Sequence, residues 1–452
     1  MTAPTDQANP VPDPAADPAP TAAAGAGAAR PPVYLDLPEV ASTPTRRRRR
    51  SGWWRYGFPV ALVVLLVAVP VLIYAGVQVV LKTNDGRLIA GTTNADAPGW
   101  VATVPPTSTM MVAGVNDSGT LSTVDLLALT SPKLGNVVLI PVDTQVTVGG
   151  TPQTLVEAYR SDGTAALQTA TETLIGAGID QVVVANSKNW QDLVTPAGSL
   201  TFDNPDNVVV NGSRLFPSGS ITVSPAQFGS FLFARNWAED DTNRLLRQEQ
   251  LWKAWLTKVA ASHSSGIVPG EVDTGIGEFV RTLAHQEVQY NVLPVSVHAL
   301  ASAYAGVYLP LQPEAATVIN AAIPFPTAAP PGSRMRTRVL DGTGQLNHGL
   351  VAARNLAVAG AQIDSIGNAE SFHDAHTEFI VANESQRAAA QKLRDAFGIG
   401  EVVVNGSADD TIDLTVVLGA DALGKPQVTD TVLAPPTSST TLPPNVAVPT
   451  SG

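Results

Sequence analysis

The stretch Phe231–Trp252 reads F-L-F-A-R-N-W-A-E-D-D-T-N-R-L-L-R-Q-E-Q-L-W. It begins as an apolar run, passes through an acidic turn and then predicts a helix, because its later apolar residues recur at helical spacing. Asp241 stands where an N-cap is expected, since its carboxylate would accept the free N–H groups of the first turn. Arg244 and Arg247 follow at once, although cations there oppose the helix dipole at about 0.3–1 kcal/mol each.

Two interpretations of these arginines stay open from the residues alone. A helix start that carries guanidinium groups favours a bound anion, because the backbone N–H groups and the arginine forks point the same way. Alternatively, Arg244 and Arg247 pair with Asp240, Asp241 and Glu249 on a solvated face.

The composition bounds the class of protein. The chain has 452 residues, no cysteine and a net charge of −12, so two or three domains are expected and disulfides and cysteine nucleophiles are excluded. Seven arginines and five acidic residues give residues 1–81 a net charge of +2, which leaves −14 on residues 82–452. An acidic body of this kind is a poor general binder of nucleic acid, so no nucleic-acid partner is expected.

The N-terminal part predicts a membrane anchor. Residues 1–55 are rich in Pro, Ala, Gly and Thr and include the cluster Arg46–Arg50, which is typical of a disordered cytoplasmic tail. Residues 57–81 are uncharged and long enough to cross about 30 Å of hydrocarbon as a transmembrane helix. Five arginines before this run against Lys82 after it predict a cytoplasmic N-terminus, a single span in the cell membrane and an extracellular bulk.

Helical and strand patterns alternate along the rest of the chain, which indicates an α/β fold with a sheet covered by helices. Four prolines within Pro324–Gly332 predict a linker to a small C-terminal α/β domain. The predicted organisation after the anchor is a spacer at 83–107, a main domain at 108–323, a Pro-rich linker at 324–333, a small domain at 334–424 and a disordered tail at 425–452.

Two motifs of the main domain resemble those of the LytR–CpsA–Psr (LCP) family. One is V-L-I-P-V-D, which ends at Asp143, and the other is an arginine followed by D-x-x-R-x-x-R-Q. The residues of the second motif are Arg235, Asp241, Arg244, Arg247 and Gln248. The small domain, from Val339-Leu-Asp-Gly-Thr-Gly344 to Asp421, resembles the LytR C-terminal accessory domain.

The resemblance implies an outward-facing transferase that moves a phosphate-linked glycopolymer from a polyprenyl-pyrophosphate carrier to peptidoglycan. A pyrophosphate leaving group needs arginines, and usually Mg²⁺, because they stabilise the charge that develops on it. The residues implied are Asp125 and Asp143 for catalysis and for the metal, Arg235, Arg244 and Arg247 for catalysis at the phosphates, and Gln248 and Asp241 for substrate binding.

Three departures from the family pattern concern arginines. Thr123, Val142 and Trp237 stand where the family usually carries arginine, and the loss of one transition-state contact costs about 10²–10³ in rate. Arg214 or Arg160 would have to substitute from elsewhere in the chain. The pattern therefore leaves two hypotheses, a divergent LCP-type transferase and a catalytically degenerate relative that binds envelope material or acts as a scaffold. A transcriptional attenuator is least favoured, since the cytoplasmic residues carry no DNA-reading element.

Other candidate chemistry is weak. His373 and His376 have a spacing of three without a carboxylate motif, so a surface pair is expected rather than a metal site. Trp252 and Trp255 lie at helical spacing, which favours a place in the core over a sugar platform. The chain contains no P-loop, no His-Glu-x-x-His and no Gly-x-Ser-x-Gly.

Overall fold

The computed structural model describes residues 83–84, 87–88, 94–236, 239, 241–270, 275–299, 306–345, 348–408 and 411–424. All of these residues lie within one unit of the chain, Ala75–Gly452. The predicted cytoplasmic tail, the predicted span at 57–81 and the predicted tail at 425–452 fall outside these residues. Within them, no helix combines the length and the apolar character that crossing a membrane requires.

The described residues contain strands of 2 to 9 residues and eight α-helices. The strands are β1 Thr83–Asn84, β2 Arg87–Leu88, β3 Val101–Thr103, β4 Ser108–Val115, β5 Leu121–Leu129, β6 Leu134–Ile140, β7 Gln145–Val148, β8 Thr151–Thr154, β9 Gln181–Ala185, β10 Leu200–Asn204, β11 Val208–Val210, β12 Ser213–Phe216, β13 Gly219–Val223, β14 Glu287–Val292, β15 Val295–Ala299, β16 Gly306–Pro310, β17 Arg336–Asp341, β18 Gln362–Asn368, β19 Glu378–Val381, β20 Glu401–Val404 and β21 Leu414–Leu418. The helices are α1 Leu155–Ile175, α2 Ser187–Val194, α3 Pro225–Phe233, α4 Asp241–Ala260, α5 Ile276–Ala284, α6 Glu314–Ala322, α7 His348–Val358 and α8 Arg387–Phe397.

The first sheet has five strands in the order β14-β6-β5-β4-β9. Strands β4, β5 and β6 are antiparallel, and β14 and β9 add in parallel at the two edges. The three central strands are buried on both faces, which explains why they are apolar with little alternation. Successive side chains point to opposite faces, so alternate residues of each strand contribute to two separate apolar clusters.

Helices cover both faces of the first sheet. One cluster joins the sheet to α2, α3, α4 and α5, and the other joins it to α1 and α6. Helix α1 begins at a capping box in which Thr154 and Glu157 bond each other's backbone N–H groups. It ends at Gly176, whose φ of 66° is the left-handed conformation that favours glycine at a helix end. The predicted α/β class, a sheet covered by helices, is confirmed.

The second sheet has six strands in the order β20-β19-β21-β17-β18-β3. Strand β17 is parallel to both β18 and β21, and α7 and α8 contribute to the apolar cluster of this sheet. Strand β3 adds antiparallel to the edge at β18. It lies within the residues predicted as a spacer, where a long-range backbone pairing makes Val101–Thr103 a strand.

Backbone contacts connect the two sheets. The N–H of Thr107 donates to the carbonyl of Phe325 over 2.9 Å, and that of Gly178 donates to the carbonyl of Thr327 over 3.0 Å. The guanidinium of Arg334 donates to the carbonyl of Gly176 at 2.6 Å. The residues predicted as a Pro-rich linker thus bond to the start of β4 and to the turn after α1.

A Gly367→Ala substitution is expected to destabilise the edge of the second sheet. A Cβ at this residue would lie 2.2 Å from the carbonyl oxygen of Trp100 and 2.9 Å from the Cα of Val101, so β3 has to move. Overpacking of this kind costs about 1–3 kcal/mol, measurable by urea denaturation. Gly406→Ala is the matched control, because nothing lies within 4 Å of its Cβ position. Equal stability of the two variants would contradict the pairing of β3 with β18.

Candidate functional site

Helix α4 carries four of the seven predicted site residues. Asp241, Arg244, Arg247, Gln248 and Trp252 are all buried, each with at most 3% of its surface exposed. Their spacing of three and four residues places them on neighbouring turns, toward the face of α4 that packs on the first sheet. The arginines therefore lie in the interior, so the interpretation that places them on a solvated face is wrong, although Arg244 does pair with Asp241.

Asp241 joins the start of α4 to two other segments. One carboxylate oxygen accepts the N–H of Val142 over 3.1 Å, and the other lies 2.7 Å from Nη2 of Arg244 in an ion pair. The backbone N–H of Asp241 donates to the hydroxyl of Tyr308 over 2.9 Å. Asp241 is the first residue of the helix, so the predicted N-cap is replaced by contacts to the end of β6 and to β16.

Arg247 is held by two carboxylates of the chain itself. Its guanidinium donates to Asp206 over 2.9 Å and to Glu239, where one of the two contacts measures 2.8 Å. It also donates to the carbonyl of Ala234 over 3.2 Å. Burial alone would lower the pKa of Arg247, but the hydrogen bonds and charges of Glu239 and Asp206 outweigh it and raise that pKa. The guanidinium is therefore a fixed charge that is already neutralised.

Asp125 lies in the middle of β5 and is fully buried. The indole N–H of Trp252 donates to its Oδ2 over 3.0 Å, while Oδ1 has no hydrogen-bond partner among the described residues. Burial raises the pKa of Asp125 to about 7, against the opposing effects of the Trp252 hydrogen bond and the charge of Arg244. A substantial fraction of this carboxyl is thus protonated at neutral pH.

Asp143 and Arg235 form the partly exposed edge of the group. Their side chains are 26% and 42% exposed, with Nη1 of Arg235 3.7 Å from Oδ2 of Asp143. Nη2 of Arg235 also lies 3.5 Å from Oδ1 of Asp241. Burial and the charge of Asp241 raise the pKa of Asp143, and Arg235 and Arg244 offset part of this.

The predicted site residues therefore come together only in part. One ionic cluster consists of Arg235, Arg244, Asp143 and Asp241. Asp125 lies close enough to it for the charge of Arg244 to lower its pKa. Gln248 donates instead to the carbonyl of Leu232 over 3.1 Å, in a fully buried position. In total, five carboxylates face three guanidinium groups, so the region carries excess negative charge when all are ionised.

Sequence reasoning did not find Asp206, Glu239 or Tyr308. Asp206 lies in a loop far from α4 in the chain, and Tyr308 belongs to β16, so no local pattern relates them to Arg247 or Asp241. Glu239 is part of the acidic turn before α4, and its spacing of eight residues from Arg247 gives no helical signal. Glu249, an expected arginine partner, pairs with Lys253 instead.

The places of two expected arginines are filled. Thr123 is fully buried, and a Cβ on Gly114 would lie 2.4 Å from its Oγ1 and 2.6 Å from the ring of Phe233. Val142 is 3% exposed and belongs to the apolar cluster on the α1 face of the sheet. An arginine at either position would lack room or would place a charge among apolar side chains. Trp237 lies outside the described residues.

Aromatic rings fill the space between α4 and the sheet. Trp190 stacks on Phe228 with ring centroids 5.2 Å apart, and it contacts Trp252 and Trp255 edge-on at 5.7 and 5.9 Å. All four rings are at most 3% exposed. The predicted core role of Trp252 and Trp255 is confirmed.

The donor set does not fit Mg²⁺. This ion requires near-octahedral oxygen ligands and keeps several waters, but Asp125 is closed off from solvent, bonded to an indole N–H and partly protonated near neutral pH. Asp143 faces Arg235 and the charge of Asp241. In the part of the chain that the structure describes, no group of three or more His, Cys, Asp or Glu is placed to hold a metal ion.

The histidine pair of the second sheet does not form a ligand set either. The side chain of His376 is 83% exposed, and its Nδ1 lies 3.9 Å from Asp421. His373 contacts the hydroxyl of Ser371. Both are surface residues, as the sequence predicts.

An Asp125→Asn variant is expected to change the pH dependence of stability. A carboxyl with a raised folded pKa contributes stability that is fully present below its unfolded pKa and is lost as pH rises through its folded pKa. The native protein should therefore lose up to ~4 kcal/mol relative to the variant between about pH 4 and pH 7. Urea denaturation across this range measures the difference. Asp162→Asn, which alters an exposed residue at a helix kink, is the control. If the stability of the native protein and that of Asp125→Asn change in parallel with pH, Asp125 is not buried in an uncharged form.

Comparisons with known proteins bear on both sheets. Residues 334–421 match the family described as "LytR cell envelope-related transcriptional attenuator". No curated protein sequence matches the chain. Similar solved structures include B. subtilis TagV, with 16% identity, 48% of this chain and 96% of that chain covered and a TM-score of 0.41.

Two further solved structures show the same level of similarity. B. subtilis TagT has 16% identity, 48% and 89% coverage and a TM-score of 0.40. The LytR-Csp2A-Psr enzyme from Actinomyces oris has 14% identity, 52% and 96% coverage and a TM-score of 0.39. By sequence, residues 334–421 are similar to the LytR C-terminal family, and the resemblance predicted for residues 334–424 is confirmed.

Proposed function

We propose that this chain is a cell-envelope protein of the LytR–CpsA–Psr type whose transferase centre has become a closed ionic core, and that it acts in the envelope without catalysis. One observation carries the proposal. Arg244 and Arg247, the arginines expected to clamp a pyrophosphate, are buried and paired with Asp241, Asp206 and Glu239 of the same chain.

Electrostatics support the loss of turnover. Transition-state stabilisation needs preorganised donors aimed at the charge that develops on the substrate. Here those donors are aimed at carboxylates, and a pyrophosphate would have to displace them inside a region whose five carboxylates outnumber its three guanidinium groups. Removing one partner from a buried pair typically costs about 3–5 kcal/mol, which a substrate would have to supply before any catalysis.

The proposed setting is the outer face of the cell membrane. The uncharged run at 57–81, with Arg46–Arg50 before it, supports a single span with a cytoplasmic N-terminus. The family match at 334–421 supports a role in the envelope. In this proposal the partners are envelope glycopolymers and peptidoglycan, and the chain binds or positions them.

An LCP-type transferase is the second candidate. The exposed edge formed by Arg235 and Asp143 favours it, because this cation and this carboxylate can still reach a polyprenyl-pyrophosphate-linked glycan. Under that hypothesis Arg235 contacts the phosphates, and Mg²⁺ would have to be bound by Asp143 and other ligands, since Asp125 is closed to it.

A carrier-release assay separates the two candidates. The full chain in mild detergent is mixed with a polyprenyl-pyrophosphate-linked glycan, Mg²⁺ and peptidoglycan, and the release of the lipid carrier is followed. We expect no release above the protein-free blank, because the clamp arginines are internally paired. Release that disappears in an Arg235→Ala variant, which alters an exposed side chain, would establish the transferase and refute the proposal.

The role of Arg247 is tested through stability. Arg247→Met leaves Glu239 buried without its partner and should lower the free energy of unfolding by about 3–5 kcal/mol. Adding Glu239→Gln should restore a large part of this loss, because the buried charge is removed while Asp206, whose side chain is 39% exposed, remains hydrated. Urea denaturation of both variants measures it. If Arg247→Met alone is as stable as the native protein, Arg247 is free for a ligand.

A further inference from the structure

The second sheet carries a cavity of about 320 Å³ that the site on α4 does not involve. It lies where β17 ends at Asp341 and β18 ends at Asn368, beside the first turn of α7. From β17 the chain passes through α7 to β18 on one side, whereas the next strand, β19, lies on the other side of β17 beyond β21. Crevices at the carboxyl ends of parallel strands, where the connections diverge, are where open α/β sheets bind ligands.

Two half-buried aromatic rings line this cavity, Trp100 before β3 and Phe372 after β18. Among the described residues neither ring contacts another ring, whereas Trp190, Trp252 and Trp255 are packed together. Trp100 is brought here by the pairing of β3 with β18, and the N–H of Asn368 donates to its carbonyl over 2.7 Å. The cavity thus offers two flat apolar rings that are partly exposed.

The polar groups at the cavity include both donors and acceptors. Asp96 and Gln345 line it and are exposed, and within the described part of the chain their side chains have no hydrogen-bond partner. The same is true of the indole N–H of Trp100. A carboxylate accepts, an indole N–H donates and an amide does both. Hydroxyl groups, which donate and accept, complement all three.

The charge of the lining excludes one class of ligand. Asp96 and Asp341 contribute carboxylates, and none of the described residues that line the cavity is a lysine or an arginine. Phosphates and other anions are therefore disfavoured. A volume near the lower end of the range for small-molecule sites, about 300–1,000 Å³, suits one or two sugar rings.

We propose that this cavity binds a neutral pyranose unit of a glycan, with its C–H face against Trp100 or Phe372 and its hydroxyls on Gln345 and Asp96. Amphipathic rings of this kind present an apolar face together with polar edges, which is the combination that the lining offers. The proposal is independent of the state of the ionic cluster on α4, because the two sites share no residue. It makes the second sheet the part of the chain that recognises sugar.

Isothermal titration calorimetry with the full chain in mild detergent tests the proposal, with N,N′-diacetylchitobiose and maltose as the neutral probes. We expect saturable millimolar binding of at least one of them. Trp100→Ala should weaken it roughly tenfold, the loss of about one aromatic contact, and Gln345→Ala should weaken it several-fold. Gln391→Ala is the matched control, because it alters an exposed glutamine of α8, which packs on the same sheet. This variant should bind the sugars as the native protein does.

A second variant guards against a fold effect of Trp100→Ala. Gly349 lines the cavity in the first turn of α7, and a Cβ there would make only ordinary contacts, at 3.6 Å from Asp341 and 3.8 Å from Gly367. Gly349→Ala should keep or raise the melting temperature, since alanine favours helix, while it weakens sugar binding several-fold by narrowing the cavity.

Three outcomes would overturn the proposal. The first is that neither of the two neutral sugars binds. Binding of tetramethylammonium that depends on Trp100, with no sugar binding, would instead assign the cavity to a cation, because aromatic rings beside carboxylates also recognise ammonium groups. Tighter binding of glucose 6-phosphate than of glucose would contradict the exclusion of anions.

Discussion

The candidate site beside the first sheet depends on the contacts that Asp241 makes. Its carboxylate bonds the backbone at Val142, pairs with Arg244 and lies near Arg235, and the N–H of the same residue reaches Tyr308. The start of α4 is thereby tied to the end of β6 and to β16. A helix that is tied at its first residue has a fixed rotation, so the residues on its later turns reach fixed partners.

That rotation decides what the rest of α4 does. It directs Trp252 to Asp125 and Arg247 to Asp206 and Glu239. Each contact is of a kind that burial makes strong and that is costly to leave unpaired. The ionic groups and the aromatic cluster therefore belong to one packed layer between α4 and the sheet, in which a polar ligand has no ready-made place.

The sequence predicts much of this architecture and little of its pairing. The alternation of helices and strands and the helix that follows the acidic turn are predicted correctly, because apolar spacing is a local signal. The spacing of Asp241 and Arg244 likewise indicates a contact one turn apart. Asp206 and Tyr308 gave no signal, since they reach α4 from a loop and an edge strand, and Val101–Thr103 became a strand only because β18 offers it an edge.

The same spacing of acidic and basic residues is therefore compatible with two roles, the binding of a phosphate and the formation of ion pairs within the chain. D-x-x-R-x-x-R-Q places an aspartate, two arginines and a glutamine on one side of a helix in either case, so a match to it fixes geometry and not activity. Activity depends on what those side chains face: free space for a phosphate or carboxylates of the chain. In this protein the two arginines face carboxylates, and Thr123 and Val142 stand in the positions of further cations, whereas the rings and polar groups beside β17 and β18 are partly exposed. The motif alone therefore indicates a ligand in the more closed of the two places.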